Sequence, residues 1–187
     1  MRFVLLLLLL LASCTQYPEQ QLPLGHERTQ EEPQNVSVIL MLSVTSPVFK
    51  HNGAIPAKYT CQGQDISPPL EIQGVPATAQ SIILILDDPD APVGVWTHWV
   101  VWNIPATTTM LLEGKAPAGS VEGMNSWQKQ GYGGPCPPSG THRYVFKLYV
   151  LDAMLNLPSS ADKRDVEQAT QGHIIVQTQL IGLYKKS

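Results

Sequence analysis

The sequence predicts a mainly β protein, an antiparallel β-sandwich with short helices near its C-terminus. Three observations point there. Only 14% of the 187 residues are charged while 16 are proline, a mix that disfavours a helical bundle and favours strands joined by shaped loops. Apolar and β-branched runs recur between Pro/Gly-rich stretches. Helix formers bounded by cap and stop residues gather only near the end of the chain.

The elements follow in order. V-S-V-I-L-M-L-S-V-T, from Val36, is β-branched and apolar and reads as a first strand. A punctuated stretch of loops and short strands runs from Ser46 to Leu70. L-E-I is short, S-I-I-L-I-L-D is strongly apolar and ends at Asp87, and T-H-W-V-V-W-N-I-P is polar only at its ends. R-Y-V-F-K-L-Y-V-L-D, from Arg143 to Asp152, is apolar on both faces, which suggests a central place in a sheet. S-S-A-D-K-R-D-V-E-Q-A-T-Q-G offers serine caps, helix formers and Gly172 as a stop. In H-I-I-V-Q-T-Q-L-I-G-L-Y the apolar residues fall broadly at helical spacing, with a strand as the competing reading because Ile-Ile-Val favours β structure.

The chain divides into three parts. Residues 1–13 read as a signal peptide: one Arg, then an apolar stretch from Phe3 to Leu11, shorter than the roughly 20 residues a membrane span needs. L-A-S-C resembles the lipobox of bacterial lipoproteins, which makes Cys14 the candidate lipidation site. Residues 14–35, rich in Gln, Glu and Pro, read as a flexible tether. Residues 36–187 form the globular domain. The expected location is the bacterial cell envelope, with the domain held to a membrane by its lipid anchor. There Cys61 and Cys136 are a candidate disulfide, two separate buried thiols being the alternative.

Three polar clusters interrupt the apolar pattern: D-D-P-D-A-P from Asp87, W-T-H-W from Trp96, and G-Y-G-G-P-C-P-P-S-G-T-H-R-Y from Gly131 to Tyr144. Each lies at a strand edge beside a proline-shaped loop, where binding groups usually sit. His98, His142 and Tyr144 can donate hydrogen bonds, as can the backbone of Gly133, Gly134 and Cys136, whereas the prolines have no N–H. Such donors suit an anion. Asp88 and Asp90 would repel one, unless a carboxylate accepts from a histidine ring, shares a proton with a phosphate or accepts from a ligand amine. A small phosphate or a zwitterionic head group meets both demands. Turn-forming Asp-Pro and Gly-Pro pairs with ordinary structural histidines are the bland alternative.

Enzyme signatures are weak. G-x-S-x-G, C-x-x-C and H-E-x-x-H are absent. Asp88, Asp90, His98 and His142 could hold Zn²⁺ or Mn²⁺, which makes a metal-assisted hydrolase the second reading, although D-x-D plus scattered histidines is a loose pattern. The net charge of −3 argues against a nucleic-acid partner.

In this order, D-P-D-A-P, W-T-H-W and G-P-C-P-P-S-G-T-H-R-Y resemble the phosphatidylethanolamine-binding protein family, which includes the Raf kinase inhibitor proteins, and in particular its bacterial and archaeal YbhB/YbcL branch. I-P-x-K-Y-T-C-x-G-x-D-x-S-P-P-L, N-I-P at Asn103 and G-H-I near the C-terminus support the match, which runs from about Val38 to Tyr184. The resemblance implies an antiparallel β-sandwich with a small pocket for phosphate-like anions, lined by Asp88, Asp90, Trp96, His98, Gly134, Pro137, His142 and Tyr144. It implies a binding or regulatory protein that inhibits a kinase or protease, with no catalytic residues, metal or cofactor, and often a homodimer. Cys136 and Ile72 depart from the family pattern, and an envelope location argues against cytosolic kinase inhibition.

Overall fold

The computed structural model describes residues 41–186. The segments expected to be a signal peptide and a tether, with Cys14, lie outside the described residues. Nine strands and one short helix follow in the order β1 (Ser43–Thr45), β2 (Gly53–Ala54), β3 (Leu70–Gln73), β4 (Ser81–Asp88), β5 (Trp96–Pro105), β6 (Met110–Leu111), β7 (Val121–Glu122), β8 (Thr141–Leu151), α1 (Lys163–Ala169) and β9 (Ile174–Lys185). They form a three-stranded sheet, β1-β3-β6, and a six-stranded sheet, β2-β9-β8-β4-β5-β7. The pairings are antiparallel apart from β2 with β9, which is parallel.

The large sheet is covered on both faces. On one, Ile82, Leu84, Leu86, Trp99, Val101, Phe146 and Leu148 pack against Val44, Leu70, Ile72 and Leu111 of the small sheet. On the other, Ile83, Ile85, Val100, Trp102 and Leu151 pack with Leu155, Ala161 and Val166, the last from α1. Two covered faces explain why every residue of β4 is buried and why its sequence does not alternate. β8 is central, flanked by β4 and β9.

Two sequence expectations are corrected. The C-terminal region holds one helix of seven residues, and Asp162 caps it rather than a serine, in a capping box with Asp165. Ile174 onward is a twelve-residue strand: pairing along β8 satisfies its backbone, and the β-branched residues fit the pleated surface. Of the first expected strand, only Ser43–Thr45 is a strand within the described residues.

Candidate functional site

The three polar clusters meet at one end of the large sheet, where β4 ends and β5 and β8 begin. Alternation along β8 puts His142 and Tyr144 on the face of Phe146, toward the small sheet, and Arg143 on the other. In β5 the register skips a residue: Leu86 pairs Trp99 and Asp87 pairs Thr97. His98 is therefore the extra residue of a β-bulge, a device that re-aims a side chain. Its ring stands edge-on to Tyr144 and to Trp127, with centroids 5.2 Å and 4.9 Å away.

Asp88 is buried and its carboxylate is shared. One oxygen lies 2.7 Å from His142 Nδ1, and the other accepts the Asp90 N–H at 2.9 Å. The carboxylate so fixes the orientation of the His142 ring. His98 Nδ1 lies 2.7 Å from the Gly133 carbonyl. A carbonyl only accepts, so Nδ1 carries the proton and the neutral ring keeps its lone pair on Nε2. Burial pulls the His98 pKa below its ordinary value, while the Gly133 carbonyl, Asp88 and Asp87 oppose the shift.

Tyr144 is fully buried, and its hydroxyl has no hydrogen-bond partner. Burial, helped by Asp88, pushes its phenol well above the usual range, and the Cys136 amide pulls the other way. The Asp88 carboxylate and the Cys136 amide are thus the polar groups that act on the hydroxyl. The Trp96 indole N–H, from the residue paired with Asp88, is also buried and unpartnered. Trp96 stands edge-on to Trp127 at 5.3 Å. Native proteins leave few buried polar groups unpaired, and those few call for a reason such as a missing ligand.

Other expected residues are engaged differently. The Asp90 carboxylate is taken by Arg143, through Nε at 2.9 Å, a terminal nitrogen at 2.6 Å and the backbone N–H at 2.9 Å. Those hydrogen bonds hold its pKa down at about 2. Gly134 donates its N–H to Asp65 Oδ1 at 2.7 Å, and the Gly133 N–H goes to the His98 carbonyl at 3.0 Å. Two of the three loop amides expected to face a ligand are thus used within the protein, leaving that of Cys136 beside Tyr144. Gly134 is small for packing, since a Cβ there would press onto Asp65 Oδ1 and lie 2.7 Å from the Tyr59 carbonyl. Pro137 is buried in the same loop. Cys61 and Cys136 are joined by a disulfide.

Sequence reasoning missed Trp127 and Asp65. Trp127 was legible only as an aromatic residue in a polar stretch just before the glycine loop. Asp65 stood inside the I-P-x-K-Y-T-C-x-G-x-D pattern, with nothing to reveal that it holds Gly134. With Asp90 held by Arg143, the four residues weighed as metal ligands do not converge. Among the described residues, no group of three or more His, Cys, Asp or Glu side chains is placed to hold a metal ion.

The sequence profile of the family described as phosphatidylethanolamine-binding protein matches residues 45–185. The chain belongs to this family. A UPF0098 protein of Methanothermobacter thermautotrophicus is 51% identical over 150 residues, spanning 78% of this chain and 99% of that protein. One from Aquifex aeolicus is 47% identical over 153 residues, spanning 78% and 90%. Among solved structures, the phosphatidylethanolamine-binding protein homologue CT736 of Chlamydia trachomatis superposes with a TM-score of 0.76 at 40% identity, covering 78% of this chain and 98% of that one. YbcL of E. coli, described as a member of the mammalian family, superposes at 0.73 with 31% identity, covering 78% and 99%. The chain shares the fold of the latter two.

Proposed function

We propose that the domain is a non-enzymatic binding module whose site takes a small phosphate-bearing head group. One observation carries the reading: Tyr144 holds a buried hydroxyl without a hydrogen-bond partner, its ring against His98 and its phenol acted on by Asp88 and the Cys136 amide. A phosphate oxygen accepting from that hydroxyl satisfies it. Neutral His98 accepts at Nε2 from a protonated phosphate oxygen, and once protonated it donates there instead. The negative Asp88 favours ligands that pair phosphate with a cationic group, so a phosphoethanolamine-type zwitterion fits better than phosphate alone. The family's name, which refers to phosphatidylethanolamine binding, supports this choice.

The test is calorimetric titration of the full chain with inorganic phosphate, O-phosphoethanolamine and ethanolamine. The two phosphate compounds bind, the zwitterion more tightly, and ethanolamine does not. His98→Ala weakens both by about tenfold or more, the scale of one hydrogen bond to a charged group. Binding of neither phosphate compound contradicts the proposal. The proposal also takes the domain to be a regulator of a protein target at the bacterial envelope, anchored through lipid on Cys14. Incorporation of a labelled fatty acid that survives Cys14→Ser contradicts the anchor.

A further inference from the structure

Two loops meet on the rim of the site. The first follows the 3-10 turn at Ala57–Tyr59 and includes Cys61 and Asp65. The second, residues 131–140, contains neither helix nor strand. Four ties join them. Tyr132 donates its hydroxyl to the Tyr59 carbonyl at 2.7 Å, and Gly134 donates its N–H to Asp65 at 2.7 Å. Cys61 donates its N–H to the Pro135 carbonyl at 3.2 Å, and the disulfide closes the set with its Cα atoms 5.5 Å apart.

Their placement is uneven. Both cysteines are exposed residues, whereas Thr60, Pro135 and Pro137 beside them are buried, so the disulfide joins the loops at their solvent-exposed positions. Neither cysteine belongs to either core cluster. Inward, the second loop serves the site directly, because the Gly133 carbonyl orients the His98 ring and the Cys136 amide lies beside the Tyr144 hydroxyl. The same exposed residue, Cys136, therefore carries the disulfide in its side chain and acts on Tyr144 through its backbone.

We propose that the Cys61–Cys136 disulfide is a redox clamp on the binding site. Closed, it fixes the Cys136 amide and the Gly133 carbonyl against Tyr144 and His98. Opened, it leaves a segment without regular secondary structure to its three hydrogen-bond ties alone, the Cys136 amide shifts, and affinity falls. The proposal rests on the phosphate-site reading above. Opening is a two-electron reduction by a dithiol. One reductant thiolate attacks a cysteine sulfur and the Cys61–Cys136 S–S bond breaks. The mixed disulfide then resolves to two protein thiols, which gain two protons, and the reductant leaves as its own disulfide. Ligand and clamp are linked both ways, so phosphate also favours the closed form.

The test uses the full chain, oxidised, reduced with dithiothreitol, and as the Cys61→Ser/Cys136→Ser double variant. Inorganic phosphate is titrated by amide NMR, which reads affinity and fold together. The clamp predicts binding by the oxidised chain and a fall of about tenfold in the other two forms, a usual size for coupling between sites, with the amides of β4 and β8 unmoved. Equal affinity in all three forms overturns the clamp and leaves the phosphate site standing. No binding by the oxidised chain overturns the phosphate-site reading, and the clamp with it. Collapse of the β4 and β8 signals on reduction, or in the double variant, makes the disulfide a staple of the whole fold and contradicts the clamp.

Discussion

At Tyr144 a hydroxyl is closed off from water without a hydrogen-bond partner, a condition that costs about 1–3 kcal/mol in a folded protein. Phenylalanine fills the same space without that cost. Tyr144→Phe should therefore leave the free domain as stable or about 1 kcal/mol more stable in urea denaturation, while phosphate affinity falls. A drop in stability would mean that the hydroxyl already has a partner. His98 gives a pH prediction at the same scale. Burial lowers its folded pKa below the ordinary 6.5, so its contribution to stability is full above about pH 6.5 and is lost as pH falls through the folded value. A bound anion favours the imidazolium form and moves the pKa up. Ring titration by NMR should show His98 protonating at higher pH with phosphate present than without it; an unchanged or lower pKa would place the anion elsewhere.

At the scale of elements, the site depends on how β4, β5, β8 and the glycine loop end. The β5 bulge was not legible in W-T-H-W, because a bulge is a property of the pairing between two strands and leaves no fixed signature in either. Alternation in H-R-Y is legible in the strand sequence itself, and it separates Arg143 from His142 and Tyr144. That Arg143 would hold Asp90 was not, since the two lie 53 residues apart and only the fold brings them together. The Ile-Ile-Val segment could be read two ways because helical spacing and β propensity conflicted there, and the long ladder with β8 decides for the strand. The glycine loop gives this scale its prediction. Gly134→Ala drives a methyl onto Asp65 and the Tyr59 carbonyl, an overpacking that should cost about 1–3 kcal/mol in thermal or urea unfolding and weaken phosphate binding as Cys136 shifts. A neutral effect would show that the loops part easily.

Across the whole molecule, the sheet separates two charged networks on consecutive residues. Asp88 faces the site, while Asp87, only 1% exposed, faces the opposite side. There it accepts from Lys147 at 2.8 Å, Lys163 at 2.7 Å and the Thr97 hydroxyl at 2.9 Å. This joins α1 to β8 and to β5 next to His98. Asp87→Ala removes the carboxylate from two lysines at once and should destabilise the domain by about 3 kcal/mol, near the lower limit for breaking a buried pair because both lysines keep some access to water. A loss below about 1 kcal/mol in urea unfolding would put the pair in the class of weak surface bridges. The sandwich itself was legible in the sequence, since apolar strands and Pro/Gly loops are local signals. Its parallel β2–β9 contact was not, because β2 is two residues long. Under the proposed function, the orphan Tyr144 hydroxyl and the His98 ring beside it receive a phosphate group. Amide and ring NMR of the oxidised full chain, titrated with inorganic phosphate, tests it most directly. The largest saturable shifts are expected at His98, Cys136, His142 and Tyr144; no saturable shift, or the largest at Lys163 and Arg164 across the sheet, rules out the phosphate site.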